Sequence, residues 1–334
     1  KRFNFVIMDK NKQRILTGIQ STGTPHLGNI LGAIIPAINM SKKKNHESYL
    51  FIADLHSITQ IKSPEILKQN TYSTAAAWLA FGLDYTKSVF YKQSDIPQVT
   101  ELAWYLSCYF PYSRLTLAHS FKDKQDRLKD VNSGLFNYPM LMAADILWYD
   151  ANLVPVGKDQ LQHLEMTRNV ANRFHNVNGE TFIIPEAELN SENMTIPGID
   201  GQKMSKSKNN IIDIFLDEKK LKKQIQSIKT DSTSIDDPKD WKKCNLFNLY
   251  KLVASNDQIK NLKANYEKGG YGYGHAKQEF FELILEKYSK ERQEFDHYLN
   301  NLDVLDKILK EGANRASETA GMVLDRVRKK LGYN

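Results

Sequence analysis

Residues 14–29 read RILTGIQSTGTPHLGN, in which a strand, a turn and the start of a helix are expected in succession. The run 14–19 is short and apolar, which predicts a buried strand, and the glycines that follow it predict a turn. A helix is expected from about Gly28, because apolar residues recur at helical spacing at Leu27, Ile30, Leu31, Ile34, Ile35 and Ile38. Pro36 should kink this helix or shift its start, since an interior proline costs about 3 kcal/mol. The free N–H groups at its start suit a phosphate.

The alternation of strands and helices continues along the first half of the chain. Short apolar runs predict three further strands, at 49–53, 88–91 and 153–156. Helices are expected from Ser63 and Pro64 to Gly82, over 98–109, and after Asp159. This alternation predicts an α/β fold with a Rossmann-like parallel sheet. Ligands bind beyond the carboxyl ends of the strands in such sheets, so functional residues are expected directly after each strand.

The second half of the chain has a different pattern. From about Leu216 onward the apolar residues recur at helical spacing, lysines are frequent, and no strand is predicted. We therefore expect two domains, a Rossmann-like domain over 1–205 and a smaller all-helical, lysine-rich domain over 206–334. The last helix of the second domain is expected to pack back on the first.

The composition limits the class of protein. The 334 residues contain 46 Lys and Arg against 39 Asp and Glu, a net charge of +7 that is compatible with a polyanionic partner. No apolar run approaches the roughly 20 residues of a membrane-spanning helix, and no signal peptide is expected at the start of the sequence. Cys108 and Cys244 have no CxxC spacing, so neither a disulfide framework nor a cysteine-based metal site is expected. A reducing cytoplasm fits this cysteine usage.

A cationic segment lies near the middle of the chain. Residues 203–208 read KMSKSK, and glycines precede them. Such a loop can close over a triphosphate and stabilise the charge of departing pyrophosphate, although a run of lysines more commonly forms a solvated linker. The glycines of the first stretch are also weak evidence alone, because they suit an ordinary connection between a strand and a helix.

Together the two segments resemble the signatures of the class I aminoacyl-tRNA synthetases. HLGN at 26–29 resembles the HIGH signature, and residues 203–207 match the KMSKS signature letter for letter. Their order, first N-terminal and then roughly mid-chain, fits that class. Asn29 replaces the second histidine of the first signature, and its amide can still donate a hydrogen bond to a phosphate.

A third stretch bears on the amino acid. Asp145 lies within YPMLMAADILWY at 138–149, where a carboxylate is costly to bury unless a donor meets it. An indole N–H is only a donor and suits that carboxylate, but a helix cap or a lysine would serve Asp145 equally well. VPVGKDQLQH follows at 154–163, then an HxExTR pattern ending at Arg168, then YEKGGYGYG at 266–274. These stretches resemble the tryptophanyl-tRNA synthetases, in their bacterial or organellar form, over nearly the whole chain.

The resemblance implies two substrate sites. Asp145 and Met142 would contact the indole ring, Tyr138 and Gln160 would hold the ammonium group, and the pocket would be completed by Leu16, Gly18, His56, Val154 and Val156. The implied ATP site contains Gln20, Ser21, Thr22, His26, Gly28, Asn29, Gly157, Asp159, Lys203, Met204, Ser205, Lys206 and Ser207. Lys124 would join Lys203 and Lys206 on the phosphates, and these three lysines with Gln20 form the expected catalytic set.

The implied reaction has two steps. The carboxylate of L-tryptophan attacks the α-phosphate of ATP, which gives tryptophanyl-adenylate and pyrophosphate, and a ribose hydroxyl of tRNA(Trp) then attacks the adenylate. The first nucleophile is already anionic, so positioning and charge stabilisation are expected rather than a general base. Mg²⁺ should accompany ATP, held mostly by phosphates and water.

Two macromolecular partners are also implied, tRNA(Trp) and a second copy of the chain in a homodimer. The residues expected to contact tRNA are basic: Lys219, Lys220, Lys222, Lys223, Lys229 and the tail at 326–330. A solubilising helix face would explain each of these residues singly just as well.

Three other functions compete with this interpretation. A tyrosyl-tRNA synthetase shares the fold and an aspartate in the pocket, but a hydroxyl both donates and accepts, so that site needs a second matched polar partner. A nucleotidyltransferase that acts on a small metabolite is usually much shorter and lacks the lysine-rich helical half. A catalytically silent RNA-binding protein would be expected to have lost lysines from 203–207, and all of them are present.

Overall fold

The computed structural model describes residues 13–118, 131–157, 160–189 and 195–333. Within them five parallel strands form one sheet in the order β3-β2-β1-β4-β5. The strands are β1 (Gln13–Ile19), β2 (His46–Ile52), β3 (Val89–Lys92), β4 (Leu153–Val156) and β5 (Glu186–Leu189). The expected α/β fold with a Rossmann-like parallel sheet is confirmed. The winding direction changes between β1 and β4, where a crevice forms outside the carboxyl ends of the strands.

Helices connect the strands and make up the second half of the described chain. The first half contains α1 (Leu27–Asn29), α2 (Ile35–Ser41), α3 (Asp54–Ser57), α4 (Pro64–Ala80), α5 (Val99–Tyr109), α6 (Tyr112–Leu115), α7 (Ser133–Leu147) and α8 (Leu161–Asn178). The second half contains α9 (Glu218–Gln226), α10 (Asn245–Tyr250), α11 (Asn256–Lys268), α12 (Tyr273–Lys287), α13 (Ser289–Asn300) and α14 (Leu302–Lys330). The described residues from 216 to 333 contain no strand, as the sequence predicts.

Local sequence signals fix two of these helices. The Ser63 side chain caps α4 by accepting a hydrogen bond from the Ile66 N–H, and Gly82 follows the helix with a φ of 82°, a left-handed conformation that favours glycine. Pro36 lies in the first turn of α2, and a π-helical turn, Ile30–Ile34, joins α1 to α2. Helical residues run without a break from 27 to 41, so Pro36 does not shift the start of the helix, and the π-helical turn just before it accommodates the missing N–H.

Two apolar cores cover the two faces of the sheet. One core surrounds the fully buried Trp78 and includes α4 and the helices of the second half. The other surrounds the buried Trp148 and includes α5, α7, α8 and part of α14. Because helices cover both faces, β2 and β3 contain continuous buried apolar runs, at 49–52 and 89–91.

Helix α14 crosses the edge strand β3 and contributes to both cores. Leu305 and Leu309 join the first core, and Ala316 and Val323 join the second. Between them lies Gly312, where a Cβ atom would be only 1.7 Å from the carbonyl oxygen of Phe90. Glycine allows this close approach, and the helix thereby covers a strand edge that would otherwise be exposed.

The contact at Gly312 predicts a strong effect on stability. Gly312→Ala is expected to lower the free energy of unfolding by about 3 kcal/mol, because the methyl group must push α14 away from β3. Chemical denaturation followed by circular dichroism measures this. Gly321→Ala on the same helix is the matched control, since no atom lies within 4 Å of the added Cβ. The control should be neutral or stabilising by up to about 1 kcal/mol. Equal stability of the two variants would contradict the close approach.

Candidate active site

The carboxyl ends of the parallel strands bring the polar residues together along one edge of the sheet. Gln20 and Ser21 follow β1, and His56 lies four residues after the end of β2. Gln93 follows β3 directly, and Gly157 follows β4. This is the edge at which the strand pattern predicts functional residues.

Asp145 is the central carboxylate of this edge. It lies in α7 with 4% of its surface exposed. Its Oδ2 is 2.9 Å from His56 Nε2, and Gln93 Nε2 donates to both of its oxygens at 2.8 and 2.9 Å. Burial raises the pKa of the Asp145 carboxyl, and the hydrogen bonds from His56 and Gln93 oppose that rise. The hydrogen bonds from His56 and Gln93 hold a buried carboxylate in place, and its oxygens can accept a further hydrogen bond from an N–H group.

An aromatic and apolar wall surrounds Asp145. The Tyr138 ring makes edge contacts with the rings of His56 and His163, with centroids 5.2 and 5.1 Å apart. Met142 lies one turn along α7, and its sulfur accepts a hydrogen bond from the Tyr138 hydroxyl at 3.6 Å. The remaining residues predicted for the wall are buried in the same core, namely Leu16, Val154 and Val156. Gln160 is half-buried at the start of α8.

A small cavity opens at the change of winding direction. Its volume is about 150 Å³, and it lies between β1, β4 and the helical segment that follows β1. Its lining includes Thr17, Gly18, Gly32, Ala33, Val156 and Gly157. Gly18 is required here, because a Cβ atom would lie 2.4 Å from the Phe51 ring. Three of the residues predicted for the substrate sites, Gly18, Val156 and Gly157, therefore share one opening.

His26 and Asn29 form a reciprocal cap at the start of α1. The Asn29 N–H donates to His26 Nδ1 at 3.2 Å, and the His26 N–H donates to Asn29 Oδ1 at 3.3 Å. Burial, together with the charge of Lys206, lowers the pKa of His26 to about 4. The histidine is therefore neutral near pH 7, and because Nδ1 accepts, its proton resides on Nε2 as a donor. Behind this cap Ser21 Oγ lies 3.1 Å from Ser57 Oγ, in a buried position.

The lysine-rich segment packs directly on that cap. Lys206 Nζ donates to the Gly23 carbonyl at 2.7 Å, and the Gly28 N–H lies 3.2 Å from the Met204 sulfur. Burial lowers the pKa of Lys206 to about 8, against the raising effect of the Asp213 charge. Ser205 and Ser207 are joined through their hydroxyl oxygens at 2.9 Å, and Lys203 is exposed. Two segments that lie far apart in sequence thus form one continuous surface.

The remaining predicted residues fall into two groups. Lys124 and Asp159 fall outside the described residues. Gln20 and Thr22 are half-buried on the same turn as Gly23. Gln93 was not predicted, although its position directly after the third strand is the signal that the strand rule provides.

No group of three or more His, Cys, Asp or Glu side chains in the described ranges is arranged to hold a metal ion. Among the helices of those same ranges, none has the length and apolar character needed to cross a membrane.

The sequence and the fold of this chain are similar to those of known tRNA synthetases. Residues 8–289 match the model of the class I tRNA synthetases for tryptophan and tyrosine (W and Y). A tryptophan–tRNA ligase of Rhodopirellula baltica is 45% identical over 319 residues, which cover 96% of this chain and 99% of that protein. The tryptophanyl-tRNA synthetase of Campylobacter jejuni, solved with ADP and tryptophan, has 45% identity and a TM-score of 0.91 over 96% of this chain and 100% of its own. The Mycoplasma pneumoniae tryptophanyl-tRNA synthetase has 28% identity and a TM-score of 0.81, covering 97% and 98% of the two chains.

Proposed function

The chain belongs to the class I tRNA synthetases of the tryptophan and tyrosine group, and from this premise we infer that it is a tryptophan–tRNA ligase. It activates L-tryptophan with ATP to tryptophanyl-adenylate and pyrophosphate, and it then transfers tryptophan to the 3′ end of tRNA(Trp). The observation that carries this choice is the buried Asp145, which accepts hydrogen bonds from His56 and Gln93 and lies in an apolar wall.

The tryptophan site is built around that carboxylate. We propose that Asp145 accepts the indole N–H while Met142, Leu16, Val154 and Val156 pack against the ring. Tyr138, whose ring contacts that of His56, and Gln160, at the start of α8, hold the ammonium group. Gly18 completes the proposed site, and its missing side chain lets the Phe51 ring lie against the strand. A phenol would need a donor for its oxygen as well as an acceptor for its proton. The two described donors that reach Asp145 are both directed at the carboxylate, which favours the indole.

The ATP site is built on the turn after β1 and the start of α1. The neutral His26 presents Nε2–H as a donor, and Gly28 allows His26 and Met204 to lie close to the backbone, since a Cβ atom there would be 3.0 Å from His26 Nδ1. Gln20, Ser21, Thr22, Asn29 and Gly157 complete the proposed nucleotide surface, with Asp159 contributing from outside the described residues. The segment 203–207 covers it, because Lys206 already reaches the carbonyl of Gly23.

These groups explain how the first step proceeds without a general base. The tryptophan carboxylate is anionic and attacks the α-phosphorus, so the P–O bond to pyrophosphate breaks as the C–O–P bond forms. Lys203, Lys206 and Lys124 neutralise the charge that moves onto pyrophosphate, and Gln20 orients the attacking carboxylate. Mg²⁺ would be held mainly by the ATP phosphates and water, and would add positive charge at the departing pyrophosphate.

The helical half, 206–334, is proposed as the part that binds tRNA. Helix α9 buries Leu221 and Ile225 and exposes four lysines on its other faces: Lys219, Lys220, Lys222 and Lys223. Lys229 is exposed shortly after this helix. In the basic tail, Arg326 forms an ion pair with Asp150 and Arg328 forms one with Glu101, so these two arginines already stabilise the fold. Lys220 is also paired, with Asp217, so Lys219, Lys222 and Lys223 are the stronger candidates for phosphate contacts.

Aminoacylation tests the function as a whole. Purified protein is incubated with ATP, radiolabelled tryptophan or tyrosine, and transcripts of tRNA(Trp) or tRNA(Tyr). Charging of the tRNA(Trp) transcript with tryptophan alone is expected. Charging of tRNA(Tyr) with tyrosine, or no charging of either transcript by protein that binds ATP, would contradict the proposal.

We also propose that the enzyme is a homodimer in the cytoplasm. Three large apolar side chains, here called the exposed apolar patch, lie on α5, on α6 and just after α6: Trp104 is 68% exposed, Tyr112 73% and Leu117 56%. Exposed aromatic clusters of this kind are typical of interfaces, and a second copy of the chain is the proposed occupant. The location is supported by Cys108 and Cys244, which are both free thiols.

The patch predicts which substitution weakens the dimer. Light scattering of the unmodified protein should give twice the mass of the chain. Trp104→Glu should raise the dimer dissociation constant about 100-fold, because a charge replaces an aromatic anchor. Ile66→Glu is the control, since Ile66 is 51% exposed on α4, which packs on the opposite face of the sheet. A monomer at micromolar concentration would refute the dimer, and equal weakening by both variants would refute the patch.

A further inference from the structure

Gln93 has an unusual environment for a glutamine. It begins a short 3-10 turn, Gln93–Asp95, directly after β3, and only 1% of its surface is exposed. Its Nε2 donates to both oxygens of Asp145, at 2.8 and 2.9 Å. The amide orientation is fixed by charge, because the opposite orientation would place Oε1 against a carboxylate.

The other end of this amide has no partner. Gln93 Oε1 is buried, and no hydrogen-bond donor in the described part of the chain reaches it. A buried acceptor without a donor is costly, so a glutamine that only filled space would be a poor choice at this position. The cost is tolerated because the other end of the amide serves Asp145.

A second contact holds the donors to Asp145 in place. Asp54 begins α3, two residues before His56, and its Oδ1 accepts from the Ser94 N–H at 2.9 Å. Ser94 Oγ donates to the other Asp54 oxygen. Ser94 is the residue after Gln93, so Asp54 ties the turn that carries Gln93 to the helix that carries His56. The two donors to Asp145 are thereby fixed relative to each other.

The hydrogen bonds leave one defined position open on the carboxylate. Each carboxylate oxygen accepts about two hydrogen bonds in its plane. Oδ2 receives both His56 and Gln93, whereas Oδ1 receives only Gln93. The remaining lone pair of Oδ1 is therefore the acceptor available to a ligand.

We propose that Gln93 is a specificity-determining positioning residue: it holds the Asp145 carboxylate in one orientation, so that the free lone pair of Oδ1 meets the indole N–H of tryptophan. This inference rests on the proposed function. It assigns Gln93 no contact with the reacting atoms, and its effect is exerted through Asp145. Gln93 and His56 both donate hydrogen bonds to the carboxylate. The site therefore selects a side chain that donates a hydrogen bond and does not need to accept one.

The test uses tryptophan-dependent ATP–pyrophosphate exchange by the full-length enzyme. Gln93→Met keeps the size of the side chain and removes the donor. We expect its KM for tryptophan to rise about 10- to 100-fold, the loss typical of one hydrogen bond to a charged group, while its KM for ATP stays within about twofold. Gln98→Met makes the same chemical change at an exposed position five residues later and should leave both constants unchanged.

Two further readouts separate positioning from a general loss of structure. The analogue β-(3-benzothienyl)alanine has sulfur in place of the indole N–H, and the preference for tryptophan over it should fall in Gln93→Met by the same 10- to 100-fold. In an Asp145→Asn background, Gln93→Met should change the KM for tryptophan by less than about a further twofold, because the effects of two residues that act through one contact are not additive.

If Gln93→Met does not fold, Gln93→Glu is used instead. Its carboxylate beside Asp145 should raise the KM for tryptophan at least as much.

The outcomes distinguish this inference from the proposed function. An active unmodified enzyme with an unchanged KM for tryptophan in the Gln93 variant would overturn the inference alone. So would a parallel rise in the KM for ATP, an unchanged preference over the analogue, or full additivity with Asp145→Asn. Absence of tryptophan-dependent exchange in the folded, unmodified enzyme would overturn both.

Discussion

Replacing Lys206 with alanine is expected to lower the kcat of tryptophan-dependent pyrophosphate exchange by about 100- to 1000-fold, the usual cost of removing one group that stabilises charge in a transition state. The reason is its position. Its Nζ lies 2.7 Å from the carbonyl oxygen of Gly23, on the turn that leads into α1, and its charge acts on the neutral His26 at the start of that helix. Steady-state exchange at saturating ATP and tryptophan measures the change.

The same lysine predicts a dependence on pH. Burial lowers the pKa of Lys206 to about 8, so the free enzyme carries this charge below pH 8 and loses it above. The kcat/KM for ATP reports the free enzyme and should therefore fall as the pH rises through about 8. Lys206→Arg is the control, because arginine stays charged and should remove that fall even if its kcat is lower. A profile that is flat in the unmodified enzyme, or unaltered in the arginine variant, would contradict the role of Lys206.

The second large effect is expected at Asp145. Asp145→Asn should raise the KM for tryptophan by on the order of 100-fold, which corresponds to about 3 kcal/mol. The asparagine amide loses the charge that attracts the indole N–H, and its own NH₂ group competes with the donors His56 and Gln93. Exchange kinetics measure the effect, and the KM for ATP is the internal control. A KM for tryptophan within threefold of the unmodified value would contradict the proposed indole contact.

Stability should respond differently to this substitution. Burial raises the pKa of Asp145, so the folded protein holds the ionised carboxylate at a cost that grows as the pH rises above the pKa of the unfolded chain. Removing the charge removes that cost. The melting temperature of Asp145→Asn should therefore stay close to that of the unmodified protein while tryptophan binding is lost, as expected of a residue retained for function.

Much of the fold follows from short-range sequence signals. Ser63 and Gly82 mark the ends of α4 because a hydroxyl cap and a left-handed residue are local requirements. The apolar runs around Leu16, Phe51 and Val154 predict central strands because such strands are buried on both faces. Strand β5 was missed, since its sequence EAEL at 186–189 carries two glutamates in a short edge strand and has no apolar run.

The site was harder to predict than the fold because its contacts span long distances in sequence. The sequence predicts that Asp145 is a carboxylate that is costly to bury, and that its partner is an indole, a helix cap or a lysine. Its described partners are His56 and Gln93, which lie 89 and 52 residues away and meet it only through the sheet order. Arg326 and Arg328 present the opposite case, since a basic tail suggested nucleic acid and these two arginines instead pair with Asp150 and Glu101.

ATP–pyrophosphate exchange by the purified, folded enzyme with Mg²⁺, comparing tryptophan with tyrosine, tests the assignment of the amino acid. We expect exchange that depends on tryptophan and is at background level with tyrosine. Exchange with tyrosine alone would contradict the indole site at Asp145 while leaving the fold and the nucleotide site intact. Exchange with neither amino acid would contradict the assignment of this chain as a tryptophan–tRNA ligase.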